Sequence, residues 1–193
     1  MGNLFEVLYD VLFQPRIAMQ TIAAKRNVGQ AIAVFLLSIL IPIWAMYFGL
    51  QTTGMGNMIQ FVIGFKVLGS IIMWFMGAAV WHLIAEFFGG KGTALGLFST
   101  LGFAHFPHLL IVPLWVFAAL MPANVKTTIM VVSVFGILLW SCFLMIVGLK
   151  EVYQFSTAKA VLVLVTPILA ILFLFGAAFT FVGSVFTQMP MWI

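Results

Sequence analysis

Long uncharged runs of hydrophobic positions alternate along the chain with short polar segments. Each run holds the ~20 apolar residues that a helix needs to cross a bilayer core of ~30 Å. Because lipid offers the backbone no hydrogen-bond partners, such a run is expected to be helical. The pattern predicts five spans, at residues 30–50, 61–88, 95–121, 127–149 and 160–184.

The N-terminal segment, residues 1–29, has a different pattern. Its polar side chains Glu6, Asp10 and Gln14 recur at helical spacing, and mostly apolar residues lie between them. This predicts an amphipathic helix that lies on the membrane surface and ends at Pro15, with docking in a partner's groove as the alternative. The chain therefore divides into this interfacial segment and a five-helix transmembrane domain, residues 30–193.

The composition excludes a separate soluble catalytic domain. Hydrophobic residues make up 65% of the 193 residues and charged residues 6%, whereas soluble domains carry about a quarter charged residues. Cys142 is the single cysteine, so an intrachain disulfide and a cysteine-based zinc site are both excluded. The expected class is an all-α membrane protein.

The basic residues orient the predicted helices, because lysine and arginine near span ends are retained in the cytoplasm. Six of the eight fall in segments on one side of the membrane, and Lys66 and Lys126 fall at the opposite ends. The six are Arg16, Lys25, Arg26, Lys91, Lys150 and Lys159. A cytoplasmic N-terminus and an external C-terminus are therefore predicted. The net charge of +4 is a sign of topology, and no nucleic-acid partner is expected.

Several short motifs follow one another in an order that is typical of a known family. They are Pro15-Arg16, residues 88–93 (FGGKGT), residues 102–104 (GFA) before Pro107, residues 148–153 (GLKEVY) and residues 156–160 (STAKA). In this order and spacing they resemble the Yip1 domain family of multi-pass membrane proteins. The resemblance implies five transmembrane helices and a cytoplasmic N-terminus.

The short N-terminal segment departs from part of that family. Eukaryotic members generally carry a longer cytoplasmic N-terminal region and are linked to Rab GTPases and vesicle traffic, whereas 29 residues precede the first span here. The chain is similar to a prokaryotic member, which implies the bacterial cytoplasmic (inner) membrane. Rab binding is therefore not expected.

Ionisable residues near the spans are the candidates for chemistry, because such groups are costly in lipid and often functional. Glu86 follows His82 by four residues and shares its helical face. The two could form a proton-handling or metal pair, or a helix-end pair with its polar tips in water. Glu151 and Lys159 flank the link between the last two spans, and Lys150 and Lys159 are available to pair with Glu151.

Two histidines flank Pro107 in the middle of the third span. A neutral His105 or His108 can donate a hydrogen bond to a carbonyl that the proline leaves free. Metal binding by His82, His105 and His108 is the weaker alternative, because no carboxylate lies at a matching depth. No cofactor is expected.

Glycine and other small residues mark turns and close helix contacts. Gly89 or Gly90 is expected to end the second span with a positive φ. Small residues repeat every four positions on two helices, which favours close helix packing in lipid. They are Gly92, Gly96, Thr100 and Ala104 before and on the third span, and Gly176, Thr180 and Ser184 on the fifth. The first row is expected inside the bundle and the second at an interface.

No nucleotide-binding loop and no hydrolase motif is present, so an enzyme is not expected. The sequence favours a scaffold or accessory subunit that binds membrane lipids and another integral membrane protein or itself, and that organises lipid. The alternative is a transport component with a path along the proline-kinked third helix.

Overall fold

The computed structural model describes residues 4–51 and 56–188, and all regular structure in this part of the chain is helical. The helices are α1 (Leu4–Phe13), α2 (Pro15–Lys25), α3 (Val28–Gln51), α4 (Gly56–Phe87), α5 (Ala94–Ala104), α6 (Ile111–Ala119), α7 (Ala123–Tyr153) and α8 (Thr157–Gln188). A short 3-10 helix, Phe106–Leu110, joins α5 to α6.

Five segments of the described chain are long and apolar enough to cross a membrane, which confirms the five predicted spans. They are Val28–Tyr47, Gln60–Phe87, Ala94–Ala119, Ala123–Tyr153 and Thr157–Ser184. The fourth continues past its predicted end at residue 149, because the charged residues Lys150 and Glu151 extend the helix instead of ending it.

The centre of the bundle is α5, which packs against α2, α3, α4 and α7. Small residues make this packing close. A Cβ added at Gly102 would lie 2.8 Å from the Ala31 carbonyl oxygen on α3, and one added at Gly148 would lie 3.1 Å from Thr100 Cβ. Gly96, Thr100 and Ala104 of the predicted row are buried on α5, so this row is internal on the third span, as the sequence predicts.

Pro107 bends the third span without ending it. The α-helix stops at Ala104, and the chain continues through the 3-10 helix into α6. Pro107 lies in the first turn of the 3-10 helix, where an N–H would have no partner within the helix, so the N–H that proline lacks is not missed. Pro113 lies in the first turn of α6, where proline is tolerated.

The N-terminal segment holds two helices instead of the one predicted. The first ends at Phe13, before Pro15 as expected, but Pro15 then begins α2 because proline suits the first helical turn. The apolar face of α2 is buried against α5 and α7 through Ala18, Met19 and Ile22. On α1, Val11 is buried in the same cluster, so the N-terminal segment packs on the bundle.

Candidate functional site at the joined loops

The loop between α4 and α5 begins with a helix-ending turn at two glycines. Gly89 has a φ of 80°, and its N–H donates to the Glu86 carbonyl at 2.8 Å. The Gly90 N–H donates to the Ala85 carbonyl at 2.9 Å. These two bonds form a Schellman motif, in which glycine is favoured at the left-handed position. The predicted positive φ is confirmed at Gly89.

The loop between α7 and α8 begins in the same way. Gln154 has a φ of 56°, and the Phe155 N–H donates to the Lys150 carbonyl at 3.1 Å. The Gln154 side chain compensates for the left-handed backbone by donating to the Glu151 carbonyl at 2.8 Å. In both turns the residue after the left-handed position donates its N–H to the carbonyl five residues earlier, and both turns lie on the same side of the bundle.

The two loops pack against each other. A Cβ added at Gly90 would lie 2.6 Å from Tyr153 Cδ1, and one at Gly92 would lie 2.6 Å from the Val152 carbonyl oxygen. The Lys159 ammonium donates to the Phe88 carbonyl at 3.4 Å and lies 5.6 Å from the centre of the Phe155 ring. We call this surface, residues 86–93 and 151–159, the loop face. It unites Glu86, Gly89, Gly90, Glu151 and Lys159.

A chain of three polar side chains runs through the loop face. The Tyr153 hydroxyl lies 2.5 Å from His82 Nδ1, and His82 Nε2 lies 3.4 Å from the Glu86 carboxylate. A carboxylate only accepts, so Nε2 of the neutral ring donates to Glu86 and Nδ1 accepts from tyrosine. The chain connects a buried hydroxyl to a carboxylate that is 56% exposed. The predicted His82 and Glu86 contact is confirmed, but Tyr153 was not predicted.

Glu151 pairs with a residue that the sequence did not suggest. Arg16 Nε, in the first turn of α2, donates to Glu151 Oε1 at 3.1 Å. The glutamate side chain is 8% exposed and the arginine side chain 74% exposed. The expected partner Lys150 instead donates to Thr157 Oγ1 at 3.4 Å. The prediction missed this pair because it did not foresee α2, which carries Arg16 to the end of α7.

The histidines near Pro107 bond to backbone carbonyls, but not to that of Phe103, which is the carbonyl that Pro107 would leave free in an α-helix. His105 Nδ1 lies 2.8 Å from the Leu101 carbonyl oxygen, and His108 Nδ1 lies 3.1 Å from that of His105. The backbone N–H of His105 donates to the Gly102 carbonyl and not to the Leu101 carbonyl, which it would reach in an α-helix. The His105 ring bonds to the Leu101 carbonyl in its place.

The metal alternative is not supported by this arrangement. His105 and His108 stack with ring centres 5.6 Å apart, whereas His82 is engaged at the loop face with Tyr153 and Glu86. Within residues 4–51 and 56–188, no three histidine, cysteine, aspartate or glutamate side chains form a group that could hold a metal ion.

The three small residues predicted for an interface lie on an exposed part of α8. A Cβ added at Gly176 would have no atom within 4 Å. The hydroxyl of Thr180 donates to the Ala177 carbonyl at 2.9 Å, and that of Ser184 to the Phe181 carbonyl at 2.7 Å. Because both donors bond to their own helix, this face can meet apolar surface without a desolvation penalty for these donors.

Comparison with known proteins identifies the family. The family model for the Yip1 domain matches residues 9–179. This chain belongs to the Yip1 domain family. No curated protein and no solved structure matches it. The Yip1 domain match includes all of α2 to α7 and the whole loop face, so the joined loops are part of the family's domain.

Proposed function

We propose that this Yip1 domain protein is a non-enzymatic scaffold or accessory subunit of the bacterial cytoplasmic membrane. A partner integral membrane protein, or a second copy of the chain, docks on α8. The observation that supports this proposal is the exposure of α8: every residue from 168 to 184 is exposed. The bundle holds the helix only near its start, where Ala160 and Val163 are buried.

The surface of α8 suits a protein partner better than it suits lipid alone. Gly176 lets a second helix backbone approach closely, which stabilises helix association in lipid through van der Waals contact. The hydroxyls at Thr180 and Ser184 continue that face one and two turns further. Large apolar side chains, including Phe175, Phe179 and Val182, cover the other exposed sides of the helix.

Replacing Gly176 with leucine and Thr180 with isoleucine is expected to abolish association and to leave the folded monomer intact. The larger side chains prevent close backbone approach, but they meet no atom of the same molecule at Gly176. The measurement is copurification of tagged with untagged chains, and of partner proteins, from native membranes in a mild detergent.

Ala178→Leu with Val182→Ile is the matched control. Each control position is two residues from a test position, so side chains of the same final size fall on the far side of α8. The control is expected to associate as the native protein does. A test variant that loses thermal stability as a monomer but keeps its complexes would show that the Gly176 face is not the interface.

The proposal also places the loop face in the cytoplasm, because six of the eight basic residues lie on that side of the bundle. A reporter inserted at Lys91 is expected to be active in the cytoplasm, and one fused after Ile193 outside it. Paired phosphatase and fluorescent-protein fusions at both sites show on which side of the membrane each site lies. A cytoplasmic C-terminus would contradict the proposed orientation.

A further inference from the structure

A cavity of about 600 Å³ lies between α3, α4, the 3-10 helix and α7. Its volume is within the range of about 300–1,000 Å³ that is usual for small-molecule sites. On α4 its wall extends from Phe65 to Trp81, which is about 24 Å at the helical rise of 1.5 Å per residue. The shape is therefore long, and most of the side chains that line it are apolar.

The polar residues that line the cavity are Ser38, Lys66, Ser70, His105 and His108. The Ser38 hydroxyl donates to the Val34 carbonyl, and the Nδ1 atoms of His105 and His108 are held by backbone carbonyls. Nε2 is therefore the histidine nitrogen that remains for a ligand. Lys66 and His108 line the same cavity, and Lys66 makes no ion pair within the described residues.

The protein has no side-chain carboxylate that could neutralise Lys66. Its four acidic residues are Glu6, Asp10, Glu86 and Glu151, which lie on α1 or at the loop face. Glu86 is twenty residues further along the same helix, or about 30 Å away at the helical rise. Lys66 lies about 9 Å along the span that begins at Gln60, close enough to its end for the lysine side chain to reach the headgroup region, where lipid phosphates lie.

We propose that this cavity binds an anionic membrane phospholipid. Its phosphate pairs with the Lys66 ammonium, and one of its acyl chains lies in the apolar cavity along α4. The positive charge of Lys66 suits the phosphate of such a lipid, and the length of the apolar cavity suits its acyl chain. No residue of α8 lines the cavity, so the proposal does not depend on the proposed association.

Native mass spectrometry of the purified full chain tests this proposal by titration with phosphatidylglycerol and with diacylglycerol of the same acyl chains. We expect phosphatidylglycerol to bind and diacylglycerol to bind at least about tenfold more weakly, since only the first carries the phosphate. Lys66→Gln, which keeps a polar side chain and removes the charge, is expected to weaken phosphatidylglycerol binding about tenfold. The control Lys126→Gln removes the other lysine of that side and is expected to bind normally.

A second variant tests the cavity separately from the charge. Gly69 lines the cavity, and a Cβ added there has no atom within 4 Å, so Gly69→Leu adds a side chain where the first carbon has room. Gly64 on the same helix is equally open and does not line the cavity, so Gly64→Leu is its control. Leucine favours a helix more than glycine does, and both variants should fold.

We expect Gly69→Leu to lose bound phosphatidylglycerol and Gly64→Leu to retain it. Equal binding of diacylglycerol and phosphatidylglycerol would overturn the proposal, because the cavity would then take any apolar chain. Unchanged binding in both Lys66→Gln and Gly69→Leu would overturn it too, because the lipid would then be bound elsewhere. Palmitic acid at equal concentration shows whether a free carboxylate replaces the phospholipid, in which case the assigned ligand is wrong.

Discussion

Gly102→Leu is expected to lower the free energy of unfolding by about 3 kcal/mol, the upper part of the range for overpacked cores. Gly102 is buried where α5 crosses α3, and a Cβ there would lie 2.8 Å from the Ala31 carbonyl oxygen and 3.0 Å from Trp74 Cζ2. The Ala31 atom belongs to the backbone, so two helices must separate to admit a side chain. The midpoint of thermal unfolding in detergent, followed by tryptophan fluorescence, measures the loss.

Gly136→Leu on α7 is the control for this variant. Gly136 is also inside a transmembrane helix, but it is exposed and a Cβ there has no atom within 4 Å. Leucine is expected to leave stability unchanged or to raise it slightly, since glycine is the poorer helix former. If the two leucine variants unfold at the same temperature, α5 does not occupy the centre of the bundle.

The spans and their central helix were predictable because lipid simplifies the physical problem. Charged residues are costly in lipid, so residues such as Lys91 and Lys126 lie near the ends of the membrane spans. The buried third span also followed from the sequence, because the polar rings of His105 and His108 need partners that lipid lacks. Both rings are bonded to backbone carbonyls in the structure.

The contacts of the loop face could be predicted only where they are local. His82 and Glu86 are one helical turn apart, so their contact follows from helix geometry. Tyr153 lies 71 residues from His82, and Arg16 lies 135 residues from Glu151. Nothing in the local sequence selects such partners. They are set by the positions of α2 and α4 relative to the end of α7, and these positions depend on the whole bundle.

Gly89 and Gly90 are required for different physical reasons. Gly89 has a φ of 80° and open space around an added Cβ, so only its backbone conformation restricts it. Gly90 has no such φ, but an added Cβ would lie 2.8 Å from Phe155 Cζ and 2.9 Å from the Ala85 carbonyl oxygen. Asparagine tolerates the left-handed conformation better than other side chains do. Substitutions can therefore separate backbone strain from loop packing.

Gly90→Val is expected to lower the free energy of unfolding by about 3 kcal/mol, because its side chain forces the two loops apart. Gly89→Val is expected to cost about 1–2 kcal/mol from backbone strain, and Gly89→Asn less. Thermal unfolding in detergent ranks the three variants. Separation of the loops makes both of them accessible to a protease and moves Tyr153 away from His82. Gly90→Val should therefore increase proteolytic cleavage near residues 88–93 and near residues 154–156 together. If Gly90→Val is as stable as Gly89→Asn, the two loops are not packed against each other.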